Sequence, residues 1–181
     1  LAPDRIAVIE PRPARAPAAG SPIGLRVSNI SPANRSRFED LGVWQRLDAT
    51  RYASVQAMAI WPQAIPPDSP DVLRFDAAES GAAELGVIVE NLALQAALLE
   101  ACREAGIVVI EDQLSALHIA PEGATLTLAK ETLQAELVVG ADGAASAVRG
   151  MLGLPAQMHP YGQQAIVGCI RPARAHHGTA Y

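Results

Sequence analysis

Leu137-Val138-Val139-Gly140-Ala141-Asp142-Gly143-Ala144-Ala145-Ser146-Ala147-Val148-Arg149 is the stretch on which the fold turns. An apolar, β-branched run of buried-strand type opens through small residues into the start of a helix. Small residues let the backbone come close to a ligand, and a helix start offers unpaired N–H groups with partial positive charge, so such a turn invites an anion. Asp142 adds an acceptor and Arg149 a bidentate donor. Strand-to-helix turns that bind nothing share this pattern, so on the residues alone the ligand turn and the plain connection both stand.

Upstream of that turn the chain alternates. Ile107 to Ile110, Leu114 to Ile119, Ala124 to Ala129 and Glu136 to Val139 predict strands, with a Glu122-Gly123 turn between the middle pair. Before them, Leu94, Leu98, Leu99 and Cys102 recur at helical spacing from Asn91 to Ala105, with Asn91 as N-cap and Gly106 as stop. Val55 to Trp61 and Val72 to Phe75 predict short strands of a small antiparallel region. Ser31 caps a helix whose first position is Pro32 and which Gly42 stops; Arg26 to Ile30 is extended. Arg5 to Glu10 is a strand ending in an acid, followed by a Pro- and Ala-rich loop to Gly24. This order is expected of an α/β fold with a mostly parallel sheet and crossovers.

Composition narrows the function. The chain has 181 residues, half hydrophobic and 18% charged, the make-up of a folded domain. Its net charge of −5, with no basic run, removes the footprint that nucleic acid requires. Apolar stretches are interrupted well short of the roughly 18 residues of a membrane span, as at Glu90 and Asn91. The opening residues carry charges and run straight into a strand, unlike a signal peptide. Cys102 and Cys169 fit a reduced intracellular protein. His118, His159, His176 and His177 have no metal-ligand spacing with them, so no metal is expected.

Glu10 stands where a dinucleotide-binding unit puts a carboxylate to receive ribose hydroxyls, although a strand-terminal acid is more often simply solvated. Resemblance joins these observations. The 137–149 stretch resembles the second fingerprint of FAD-dependent monooxygenases related to para-hydroxybenzoate hydroxylase: a strand, Gly-Ala-Asp-Gly, a small pair, Ser and Arg. Val8-Ile9-Glu10, Leu25-Arg26-Val27-Ser28, Leu41-Gly42-Val43-Trp44, Gly86 to Asn91 and Tyr161 to Val167 agree in order. The last two, with His177-Gly178-Thr179-Ala180-Tyr181, are similar to the ubiquinone-biosynthesis hydroxylase branch. Ala145 departs from the pattern, since relatives often carry Asn or another small polar residue there.

The resemblance implies a partial Rossmann-like FAD-binding domain with a mixed sheet over residues 1–154, a small inserted β region around 52–80, and the beginning of an antiparallel substrate-binding sheet over 155–181. It implies that Glu10 binds the adenosine ribose of FAD, that Arg26 and Gln95 contact the cofactor, that Asp142 and Gly143 lie near the pyrophosphate, and that Arg149 supports their loop, itself implicated in pyridine-nucleotide binding. NADPH or NADH would reduce the FAD, and the reduced flavin would pass an oxygen atom from O2 to a phenol ring of a ubiquinone precursor. No catalytic triad is then expected. A polyprenylated substrate dissolves in the membrane, so the expected setting is cytoplasmic, with docking at the inner-membrane surface or on biosynthetic partners.

The family's Gly-x-Gly-x-x-Gly turn, about 20 residues before such a Glu, and its later Gly-Asp motif both lie outside residues 1–181, so the chain is expected to be an internal segment of such an enzyme. A competing reading is therefore a non-catalytic fragment with little or no FAD affinity. Another is a different FAD-fold reductase or halogenase; Trp44 and Trp61 lie in no Trp-x-Trp-x-Ile-Pro setting of the halogenase type.

Overall fold

Ser31 opens the first helix with its hydroxyl, which accepts from the Asn34 N–H at 3.3 Å, while Pro32 occupies the first helical position, where its missing N–H costs nothing. That helix, α1, runs Pro32–Asp40, and Gly42 at φ +67° turns the chain out of it as expected. The computed structural model describes residues 2–181. The strands are β1 Ala7–Ile9, β2 Val27–Ile30, β3 Tyr52–Val55, β4 Ala57–Ile60, β5 Leu73–Asp76, β6 Gly86–Glu90, β7 Val108–Ile110, β8 Leu114–Ala120, β9 Gly123–Leu128, β10 Thr132–Ala135 and β11 Thr179–Ala180; the other helices are α2 Asn91–Glu104 and α3 Ala147–Met151. The α/β class stands, but among the described residues only β1–β7 and β11–β4 pair in parallel. The other ladders are antiparallel, and from β8 to β9 to β10 this follows from short connections that fold the chain back on itself.

Two compact units form, one from Ala14–Glu104 with Ile166–Tyr181, the other from the residues up to Pro13 with Ala105–Ala165. The first is built on β6, the central strand between β2 and β3, with Val27 opposite Glu90 and Tyr52 opposite Val89. Val87 and Val89 are fully buried there with Ile30, Val43, Trp44, Leu94 and Ala97. Trp44 packs on Tyr52 with ring centroids 5.0 Å apart, and the Arg35 guanidinium lies 4.9 Å from the Trp44 ring, held by Glu39 and Glu84.

The single strand expected over Val55 to Trp61 divides at Gln56. Its N–H goes to the Gly178 carbonyl at 2.8 Å and its carbonyl accepts from Ala77 at 2.9 Å, so β3 serves the β6 sheet while β4 joins β5 and β11. The helix α2 starts at Asn91 as expected, yet the Asn91 Oδ1 is buried without a partner instead of capping it. The Asn91 N–H donates to the Arg26 carbonyl at 3.0 Å.

In the second unit β1 lies parallel to β7, Ala7 opposite Val108 and Ile9 opposite Ile110. The meander β8–β9–β10 turns at Pro121-Glu122, and Gly123 follows at φ +142°. The strand expected over Glu136 to Val139 is absent. The ladder ends at Ala135, no strand pairs with 137–140, and Leu137 and Val139 are each 75% exposed. Apolar residues alone do not make a strand; the backbone needs a partner edge.

Candidate functional site

Asp142 organises its turn from within. Its Oδ2 accepts from the Ala147 N–H at 2.6 Å and the Val148 N–H at 3.1 Å, and the Ser146 hydroxyl donates to Oδ1. Ser146 Oγ in turn accepts from the Arg149 N–H at 3.0 Å, and Arg149 Nη2 donates to the Ala144 carbonyl at 2.6 Å. Gly143, at φ +84°, supplies the left-handed bend that lets the carboxylate reach forward to the helix. The Ser146 hydrogen bond first, then the Val148 N–H, hold the Asp142 carboxyl below the usual aspartate range. The anion expected at this turn is thus already present: the first N–H groups of α3 are taken by Asp142 and Ser146, and Arg149 braces the same loop.

Glu10 follows directly on β1, its N–H bonded to the Ile110 carbonyl at 3.0 Å. Its Oε1 accepts from the Arg12 N–H at 2.9 Å, and Oε2 has no hydrogen-bond partner among the described residues. Glu10 and the Asp142–Gly143–Arg149 loop belong to one unit, Arg26 and Gln95 to the other. Arg26 is exposed just ahead of β2, and its carbonyl meets the first N–H of α2. Gln95 is exposed one turn further along that helix. The structure therefore gathers the expected residues into two sets, each at a strand end or a helix start.

Motif reading missed the residues behind the second set. Arg51 and Glu90, each 3% exposed in the side chain, form a buried ion pair at 3.1 Å. Glu90 Oε1 also accepts from the Gly24 N–H at 2.9 Å. Arg51 donates to the carbonyls of Pro22 at 3.3 Å and Ala18 at 2.8 Å, and to the Ser21 hydroxyl at 2.8 Å. A carboxylate closing an otherwise apolar buried strand was the available signal, since it demands a partner; which cation answers it, 39 positions away, is not written locally.

Comparison with known proteins supplies the lineage. No family model matches the chain. It is 36% identical over 146 residues to 3-demethoxyubiquinol 3-hydroxylase of Escherichia coli K12, covering 79% of this chain and 36% of that protein. The chain is a relative of the ubiquinone-biosynthesis hydroxylases. Ubiquinone hydroxylase UbiL of Rhodospirillum rubrum is 30% identical over 158 residues, 86% of this chain and 35% of that one. Human mitochondrial ubiquinone biosynthesis monooxygenase COQ6 is 28% identical over 169 residues, 83% of this chain and 33% of that one. The chain thus spans about a third of the length of these ubiquinone hydroxylases.

Among solved structures, a variant of PqsL from P. aeruginosa superposes with a TM-score of 0.64 at 20% identity, over 87% of this chain and 41% of that one. The p-nitrophenol 4-monooxygenase PnpA from Pseudomonas putida gives 0.59 at 18% identity, over 82% and 37%. The flavin-dependent monooxygenase PieE, solved with FAD and substrate, gives 0.56 at 21%, over 81% and 27%. These likenesses establish the fold, that of the para-hydroxybenzoate-hydroxylase type, which the ubiquinone-hydroxylase relationship leads one to expect.

Proposed function

We propose that the chain is cofactor-binding sequence of an FAD-dependent monooxygenase that hydroxylates the aromatic ring of a ubiquinone precursor, with NADPH or NADH as electron donor. The observation that carries this reading is the 36% identity to 3-demethoxyubiquinol 3-hydroxylase across 79% of the chain. The donor set agrees with it. Glu10 keeps one carboxylate oxygen free at the end of a parallel strand, the position from which a carboxylate receives ribose hydroxyls. Arg26 is an exposed cation at the start of β2, and Gln95 adds an exposed amide on α2. Within its own unit, each of these residues suits FAD as a ligand.

In this assignment Glu10 holds the adenosine ribose, while Arg26 and Gln95 contact the cofactor. Asp142 shapes the loop through its own hydrogen bonds and Arg149 holds it by its bond to Ala144, so that Gly143 and the neighbouring backbone would lie near the pyrophosphate. When bound, FAD supplies the redox chemistry that joins one atom of O2 to the ring. For a membrane-dissolved substrate the proposed setting is cytoplasmic and peripheral to the inner membrane, with docking either directly on the bilayer surface or on biosynthetic partners. No helix among the described residues is long and apolar enough to cross a membrane.

The test is a titration of the chain with FAD, followed by quenching of flavin fluorescence. Weak but saturable binding that Glu10→Ala weakens further is the expected result. Lack of saturation would overturn FAD binding by these 181 residues, and identical curves for the two proteins would overturn the role of Glu10.

A further inference from the structure

The buried pair Arg51–Glu90 does something that packing alone does not require: it ties down the Pro- and Ala-rich strap leading to Arg26. Arg51 takes the carbonyls of Ala18 and Pro22 and the hydroxyl of Ser21, and Glu90 takes the Gly24 N–H. Two residues after Gly24 comes Arg26, whose carbonyl receives the first N–H of α2. Glu90 is the residue immediately before that helix, so one carboxylate is joined by the backbone to α2 and by a hydrogen bond to the strap.

Gly24 is there because of the closeness. A Cβ at that position would stand 2.8 Å from Glu90 Oε1, an oxygen that cannot swing aside without leaving Arg51 or the strap. The φ of Gly24 is not in the left-handed region, so an alanine would meet that contact and no backbone penalty.

The geometry points to Glu90, Arg51 and Gly24 as positioning residues that set Arg26 against the start of α2, one turn from Gln95, so that both side chains address one ligand. This rests on the FAD reading above. The positioning charges are paired with each other inside, and Arg26 makes no ion pair among the described residues, which leaves its guanidinium available to an anionic ligand.

The experiment is a double-mutant cycle on the full 181-residue chain, with FAD as probe and fluorescence quenching as readout. Gly24→Ala displaces the strap while keeping the ion pair, which avoids the risk that an Arg51 variant fails to fold. Gly24→Ala and Arg26→Ala are each expected to weaken binding about tenfold, and the double variant no further than the stronger single one, because both act through the same guanidinium. Independent, multiplying losses would make Gly24 a merely structural residue and overturn the role. Equal affinities of wild type and Gly24→Ala would also overturn it while leaving the FAD reading intact. A wild-type chain that binds no FAD, with circular dichroism showing it folded, sinks the FAD reading and this role with it. Glu90→Gln, which keeps an acceptor for the Gly24 N–H, should retain more affinity than Glu90→Ala.

Discussion

Asp142 shows how a ligand-type turn can be completed by its own side chain. The carboxylate binds two helix N–H groups and the Ser146 hydroxyl, all of which favour its charged form. A folded-state pKa held below the ordinary aspartate value means that this contribution is fully present above that ordinary value and is lost as pH falls through the depressed one. Hydrogen exchange at the Ala147 and Val148 amides should therefore stay protected at neutral pH and open in acid, and Asp142→Ala should lose the protection at every pH. In the core, Val87 is fully buried in a cluster with Ile30, Val43, Trp44, Val89, Leu94 and Ala97. Val87→Ala should cost about 2 kcal/mol in a urea melt, the range of large-to-small core changes.

Elements follow local chemistry where the chemistry is local. Ser31, Pro32 and Gly42 bound α1 as their residue types demand, and Ser31→Ala should cost ~1 kcal/mol, read as a lowered melting midpoint. Gly123 enters β9 at φ +142°, and a Cβ there would lie 2.9 Å from the Ala135 carbonyl oxygen across the ladder. Gly123→Ala should destabilise the meander by about 1–3 kcal/mol, with the change in exchange concentrated in β8, β9 and β10. Sequence patterning located β8 and β9 within a residue or two but put the last strand at 136–139 in place of Thr132–Ala135. The apolar character of Leu137 to Val139 exceeds that of Thr132 to Ala135, yet the ladder to β9 reaches only the latter.

At the scale of the whole molecule the decisive interactions join residues far apart. Arg51→Met would leave Glu90 charged and buried with only the Gly24 N–H, and should cost about 3–5 kcal/mol; Arg51→Met with Glu90→Leu should recover most of that loss in the same melt. Ile166 and Ile170 are 100% and 89% exposed along a segment without helix or strand. An apolar surface of that kind binds hydrophobic dyes, so anilinonaphthalene sulfonate should fluoresce with the folded chain and less with Ile166→Ser combined with Ile170→Ser.

By itself the sequence determined the α/β class, α1 with both its ends, the place of α2, and the lineage, because caps, periodicity and collinear motifs are carried by neighbouring residues. It also singled out Glu10 and Asp142 by type and position. Tertiary structure alone decided that Gln56 divides one apolar run between two sheets, that the Asp142 turn is filled by its own carboxylate, and that Arg51 answers Glu90. Each of those depends on which backbone edge or charge arrives from a distant part of the chain, and pairing of that kind has no period or spacing to betray it.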